Sequence, residues 1–140
     1  MKTTPFVYAL LAALSWGLAP IFANVGLKKI NSETAIVIRQ IFVALTLFSV
    51  TLCTGRMEKL LKVDPKSILL IIMSGIFDGI LGMYFSYKSI ETGEVSQVVG
   101  VSATYPLVTF ILSALLLWEQ FSLVKLSGIV CIVLGVFLLK

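Results

Sequence analysis

Histidine is absent from this chain, and cysteine occurs only twice. Without histidine there is no imidazole to act as a metal ligand or general base. Cys53 and Cys131 lack metal-ligand spacing and read as small apolar residues within or at the end of apolar runs. Charge is scarce too, at 13% of residues against 59% hydrophobic, far from the balance of a soluble domain. The excess of basic over acidic residues gives a net charge of +4, which taken alone would suit nucleic acid. However, Lys28, Lys29, Arg56, Lys59, Lys62, Lys66 and Lys88 all flank apolar runs, where lysine and arginine anchor a protein at lipid headgroups. No nucleic-acid partner is expected. Low-complexity linkers are missing, and so is any polar stretch long enough to fold alone.

What fills the chain instead is five apolar runs: Pro5–Leu27, Thr34–Thr54, Ser67–Tyr87, Val95–Trp118 and Phe121–Leu139. An α-helix of about 20 residues spans a hydrocarbon core of about 30 Å. The expected fold is an all-α membrane protein, a bundle of five transmembrane helices in one domain over residues 1–140, with bilayer lipid as its surroundings. Met1-Lys2 before an apolar run could open a signal peptide, but the run is long, carries Trp16 and Pro20, and lacks a small-x-small cleavage site. It is expected to remain as the first helix.

The breaks carry helix punctuation. Asn31-Ser32-Glu33 offers an N-cap and an acidic first turn, and Asp64-Pro65 a capping carboxylate before a first-turn proline. Thr92-Gly93-Glu94 separates the third run from the fourth, and Glu119-Gln120 leaves room only for a tight hairpin before the fifth. Arg56–Val63 is the one sizeable piece between runs; a solvated loop is expected there, with a short interfacial helix as the alternative. On the N-terminal side the loops and ends collect Lys2, Arg56, Lys59, Lys62, Lys66 and Lys125, and on the other side Lys28, Lys29, Lys88 and Lys140. Six against four only slightly favours a cytoplasmic N-terminus and sets little barrier to insertion in both orientations.

In lipid, helices associate by close packing, so small residues mark contact faces. Gly75, Asp78, Gly79, Gly82 and Ser86 share one face of the third run. Gly100 lies with Ser96 and Thr104 on a stripe of the fourth, and Gly128 and Gly135 stand seven residues apart in the fifth. Gly75, Gly79, Gly82, Gly100, Gly128 and Gly135 are therefore candidates for helix packing or a dimer contact, ordinary packing being the simpler reading.

Two ionisable residues lie inside the runs, Asp78 near the middle of the third and Arg39 within the second. Such charges are costly in hydrocarbon and face a protein interior or an aqueous cavity, often as pairs. Their depths differ by roughly 8 Å at 1.5 Å per residue, so a pair is feasible but not required. Trp16 lies mid-run four residues before Pro20, and Tyr84, Tyr87 and Tyr105-Pro106 place hydroxyls and a proline at membrane depth. A buried indole or phenol needs a partner, and proline frees backbone carbonyls. Trp16, Arg39, Asp78, Tyr84, Tyr87, Tyr105 and Pro106 form the candidate substrate cavity; the alternative for Arg39 and Asp78 is a buried structural ion pair or a snorkelling arginine, and for the aromatic residues and Pro106 packing alone. Trp118, at a run's end, reads as an interface anchor.

The order of these features resembles the EamA-type domain of the drug/metabolite transporter superfamily over essentially the whole chain. The resemblance rests on Leu14-Ser15-Trp16-Gly17 with Pro20, on Arg39, and on Gly93-Glu94-Val95-Ser96, Tyr105-Pro106-Leu107, Leu117-Trp118-Glu119 and Gly128 through Gly135-Val136. It implies a transport protein of the membrane. Typical members carry two such domains in inverted orientation, ten helices around a central cavity; this chain has one. The half-size small multidrug resistance proteins work as antiparallel dimers, but their acidic residue in the first helix has no counterpart here.

The expectation is a secondary transporter for a small metabolite or drug-like molecule, working by alternating access as a homodimer, antiparallel favoured, or paired with a second half-size subunit. Its setting is expected to be a prokaryotic cytoplasmic (inner) membrane, with lipid as its other partner. Flipping of a lipid-linked sugar and a non-transporting membrane scaffold are the competing readings. No metal or other cofactor is called for, and an enzyme finds no support in paired intramembrane carboxylates or a ligand cluster.

Overall fold

The structure, a computed structural model, describes residues 3–118 and 122–138. Lys2, Glu119, Gln120, Phe121, Leu139 and Lys140, which enter the charge balance, the last hairpin and the ends of the fifth run, lie outside them. The fold is all-α, without a strand among the described residues. Four helices are long and apolar enough to cross a membrane: Thr3–Leu27, Ser32–Cys53, Pro65–Thr92 and Val95–Leu116, the first to fourth spans. A fifth apolar helix, Leu123–Phe137, is shorter, at 15 residues. The protein is an integral, multi-pass membrane protein.

The chain divides after Glu91 into two compact units. Within the first unit, the first and second spans are in contact, and the second runs antiparallel to the third, tied to it side chain by side chain. Within the second unit, the fifth helix packs against both halves of the fourth span. Aliphatic and aromatic side chains lie open along every span, and among the described residues only Leu27, Ser32 and Ile90 are buried. In water such a surface would be untenable. In lipid it is the expected exterior, because acyl chains are as apolar as leucine.

Local sequence explains where the helices start and stop. Asn31 caps the second span, its Oδ1 accepting from the Thr34 N–H at 2.9 Å, with Glu33 in the first turn. Asp64 caps the third in the same way, accepting from the Ser67 N–H at 2.9 Å, with Pro65 at the first helical position. That hydrogen bonding to Ser67 holds the Asp64 carboxyl below the usual aspartate value. Gly55, at φ 65, provides the left-handed turn out of the second span.

The next segment departs from the solvated loop expected over Arg56–Val63: Met57–Leu61 is a short helix. An ion pair between Glu58 and Lys62, one turn apart, reinforces it, and Leu60 and Leu61 are open on its surface. At the end of the fourth span Trp118 adopts φ 54, a conformation that costs a non-glycine residue on the order of 1–2 kcal/mol.

Candidate functional site

The third span is not a uniform α-helix. Between Pro65–Gly75 and Met83–Thr92, residues Ile76–Gly82 form a π-helix. Asp78 lies inside it, at position 14 of the 28 residues Pro65–Thr92 (78 − 65 + 1), the middle of the span. A π turn inserts one extra residue, and where it reverts to α one carbonyl is passed over by the backbone ladder. Here the Met83 N–H bonds the carbonyls of Asp78 and Ile80 and skips Gly79. The Gly79 carbonyl is met from the second span, where Gln40 Nε2 donates to it at 2.8 Å.

The absence of a side chain at Gly79 lets this contact form. A Cβ on Gly79 would sit 2.8 Å from the Gln40 amide nitrogen, and one on Gly82 would lie 3.0 Å from the Phe77 carbonyl oxygen. Gly75 has nothing within 4 Å of its Cβ position. The face turned toward the second span therefore holds Gly79, Met83 and Glu91, while Gly75, Asp78 and Gly82 are exposed on the single chain.

Arg39 and Asp78 do not pair. Arg39 directs Nη1 to the Met83 sulfur, five residues and so about 7.5 Å along the third span from Asp78. Among the described residues the ion pairs are Lys62–Glu58 and Lys88–Glu91. Neither charge has an ion-pair partner among the described residues.

At the other end of the same helix pair lies a polar clamp. Ser32, with 0% of its surface exposed, donates its hydroxyl to Glu91 Oε2 at 2.8 Å, and Lys88 Nζ lies 3.1 Å from the same oxygen. The buried Leu27 and Ile90 belong to this end as well, so the packed core of the first unit sits at the membrane edge. The mid-depth region, where Gln40 meets Gly79, is more open.

In the second unit the fourth span is also interrupted. Helix Val95–Ser102 gives way to a turn at Ala103 and Thr104 before Tyr105–Leu116 begins. Pro106 has no N–H to offer the Ser102 carbonyl one turn back, which is the local cause of the break. Thr104 is residue 10 of the 22 in Val95–Leu116 (104 − 95 + 1), again near mid-span.

Trp16 is 66% exposed, Tyr84 37% and Tyr105 58%, and Tyr84 meets Phe85 edge to face with ring centroids 5.6 Å apart. Tyr87 is half-buried, as are Pro106 and Gly100. Sequence reasoning passed over Gln40, Met83, Ser32 and Glu91 as partners. Gln40 alone had a visible signal, a side-chain amide placed inside an apolar run. Among the described residues no group of three or more carboxylate or thiol side chains is placed to hold a metal ion.

Comparison with known proteins places this architecture. The chain is 26% identical over 132 residues to an uncharacterized transporter encoded in the cobO 3' region of Sinorhizobium sp, covering 94% of this chain and 93% of that one. It is 28% identical over 137 residues to an uncharacterized protein of Methanocaldococcus jannaschii, covering 98% and 96%. No solved structure matches. The match to a family extends over residues 3–140 and so covers every helix described above. With this match and its apolar spans, the chain belongs to the EamA-like transporter family, membrane transporters of the drug/metabolite superfamily.

Proposed function

We propose that this protein is a secondary transporter that moves a small metabolite or drug-like molecule by alternating access, as a dimer in a prokaryotic cytoplasmic membrane. One structural observation carries the reading beyond the family. Two spans are interrupted near mid-depth, the third by the π segment around Asp78 and the fourth by the turn at Ala103 and Thr104. Transporters commonly form substrate sites at the midplane from broken helices, whose free backbone groups and inserted charges are tolerated only beside protein or a cavity. Asp78, Arg39, Trp16, Tyr84, Tyr87, Tyr105 and Pro106 are the candidate lining.

Two considerations support the dimer. Asp78 and Arg39 are exposed within their spans, where lipid is a poor partner, and alternating access commonly uses a pair of inverted repeats, of which these 140 residues supply one. Both relatives are matched over more than nine-tenths of their length, so chains of this size recur. Their hosts, Sinorhizobium and Methanocaldococcus, support the prokaryotic setting. The near-even charges of the two sides permit an antiparallel pair, and a second half-size subunit of opposite orientation would serve the same geometry. Gly128 and Gly135 have open space at their Cβ positions, which makes the fifth helix a candidate for the contact.

Flux measured in liposomes containing the purified protein, with a metabolite mixture followed by mass spectrometry, tests the reading. Wild-type vesicles are expected to exchange at least one compound, and Asp78→Asn to lose that exchange while keeping the wild-type unfolding midpoint. Vesicles that move nothing would leave a scaffold, and an Asp78→Asn protein that unfolds first would make Asp78 structural.

A further inference from the structure

We infer that Gln40 is a positioning residue: its amide latches the third span in the π form and thereby sets the direction in which Asp78 points. Three observations on the same contact carry this. The Met83 N–H bonds Asp78 and Ile80 and passes over Gly79. The Gln40 Nε2 donates to that skipped carbonyl at 2.8 Å. The absence of a Cβ at Gly79 is what lets the amide approach, since a Cβ there would lie 2.8 Å from the nitrogen.

A carbonyl left out of the helix ladder at membrane depth has no water to turn to, so it is costly unless a side chain serves it. Gln40 is that side chain, reaching across from the neighbouring span. If the donor is withdrawn, the third span recovers a backbone partner for Gly79 by reverting to α. Losing the extra residue rotates Pro65–Gly75, with Asp78 behind it, by about 100° relative to Met83–Thr92. The π and α forms are thus two discrete states of one element, and the Gln40 amide weights the first. The clamp of Ser32, Glu91 and Lys88 holds the Met83–Thr92 half against the second span, so the rotation falls on the half bearing Asp78. Asp78 is the group positioned; the inference deepens the transport reading but is tested without it.

The full chain, with Cys53→Ser and Cys131→Ser, carries nitroxides at Leu45→Cys on the second span and Leu69→Cys on the third, both exposed sites. Distances between them are read by pulsed electron resonance in lipid nanodiscs. With spin labels standing well off the helix axis, a rotation of about 100° shifts the distance by several Å. Gln40→Leu, which keeps bulk without a donor, is expected to shift the distribution from that of wild type. Gly79→Ala, which expels the amide from the other side, is expected to match Gln40→Leu.

A Gln40→Leu distribution that coincides with wild type overturns the latch. Movement in Gly79→Ala without movement in Gln40→Leu also overturns it, assigning the π turn to glycine alone. Loss of flux plays no part in this readout, so the latch stands or falls separately from the transport reading.

Discussion

Replacing a single glycine with alanine tests the packing of the second and third spans, because two glycines of the same span meet opposite surroundings. At Gly79 the new methyl group would lie 2.8 Å from Gln40 Nε2, whereas at Gly75 nothing stands within 4 Å. The methyl meets only the far end of the flexible Gln40 side chain, which can withdraw, so the main loss is the hydrogen bond it displaces, worth about 0.6 kcal/mol on average between membrane helices. Alanine returns up to about 1 kcal/mol of helix propensity in water. The return is smaller here, because separated spans stay helical in lipid. Gly75→Ala is therefore expected to lie within about 0.5 kcal/mol of wild type, and Gly79→Ala to be less stable than Gly75→Ala by about 0.6 kcal/mol, the hydrogen bond lost at Gly79 alone. Unfolding by dodecyl sulfate in mixed micelles, followed by tryptophan fluorescence, measures both. A double-mutant cycle sharpens the test: once Gln40→Ala has removed the amide, Gly79→Ala should cost little more, so the two losses should not add. Equal stability of the two glycine variants, or strict additivity in the cycle, would refute the reasoning.

Ser32→Ala is expected to lower the unfolding midpoint more than Ser15→Ala, because Ser32 is fully buried against Glu91 while the Ser15 hydroxyl bonds the Leu11 carbonyl of its own helix; equal midpoints in the same micelle assay would count against the clamp. The Asp64 cap carries a carboxyl held below its ordinary value of 3.8 by hydrogen bonding to Ser67. Its contribution is full above that value and lost as pH falls through the lower folded value. The Ser67 amide should therefore keep its hydrogen-exchange protection at pH 5 and lose it in stronger acid, with Asp64→Ala removing the pH dependence. Reporters fused to the C-terminus and expressed alone should give signal from both sides of the membrane if the dimer is antiparallel; one-sided signal would require a second, oppositely oriented subunit.

Composition and run length alone determined the class of this protein: five apolar stretches in a chain with 13% charge leave no soluble alternative. Local chemistry likewise made the starts of the second and third spans legible, because a cap is an interaction between residues three apart, Asn31 with Thr34 and Asp64 with Ser67. The small helix at Met57–Leu61 was harder, since five residues with one Glu58–Lys62 pair sit near the margin between helix and loop. The interior of the third span could not be read at all. An α period places Gly75, Asp78, Gly79 and Gly82 on one stripe, but the π segment changes the register, and only Gly79 of the four turns to the second span. That outcome depends on an amide at position 40 meeting a carbonyl at position 79, 39 residues away. Ser32 and Glu91, 59 residues apart, are likewise a pair that only the antiparallel register of two helices brings together. Sequence determines which residues can bond; the tertiary structure decides which of them do, because registers between helices are set by packing and not by local period.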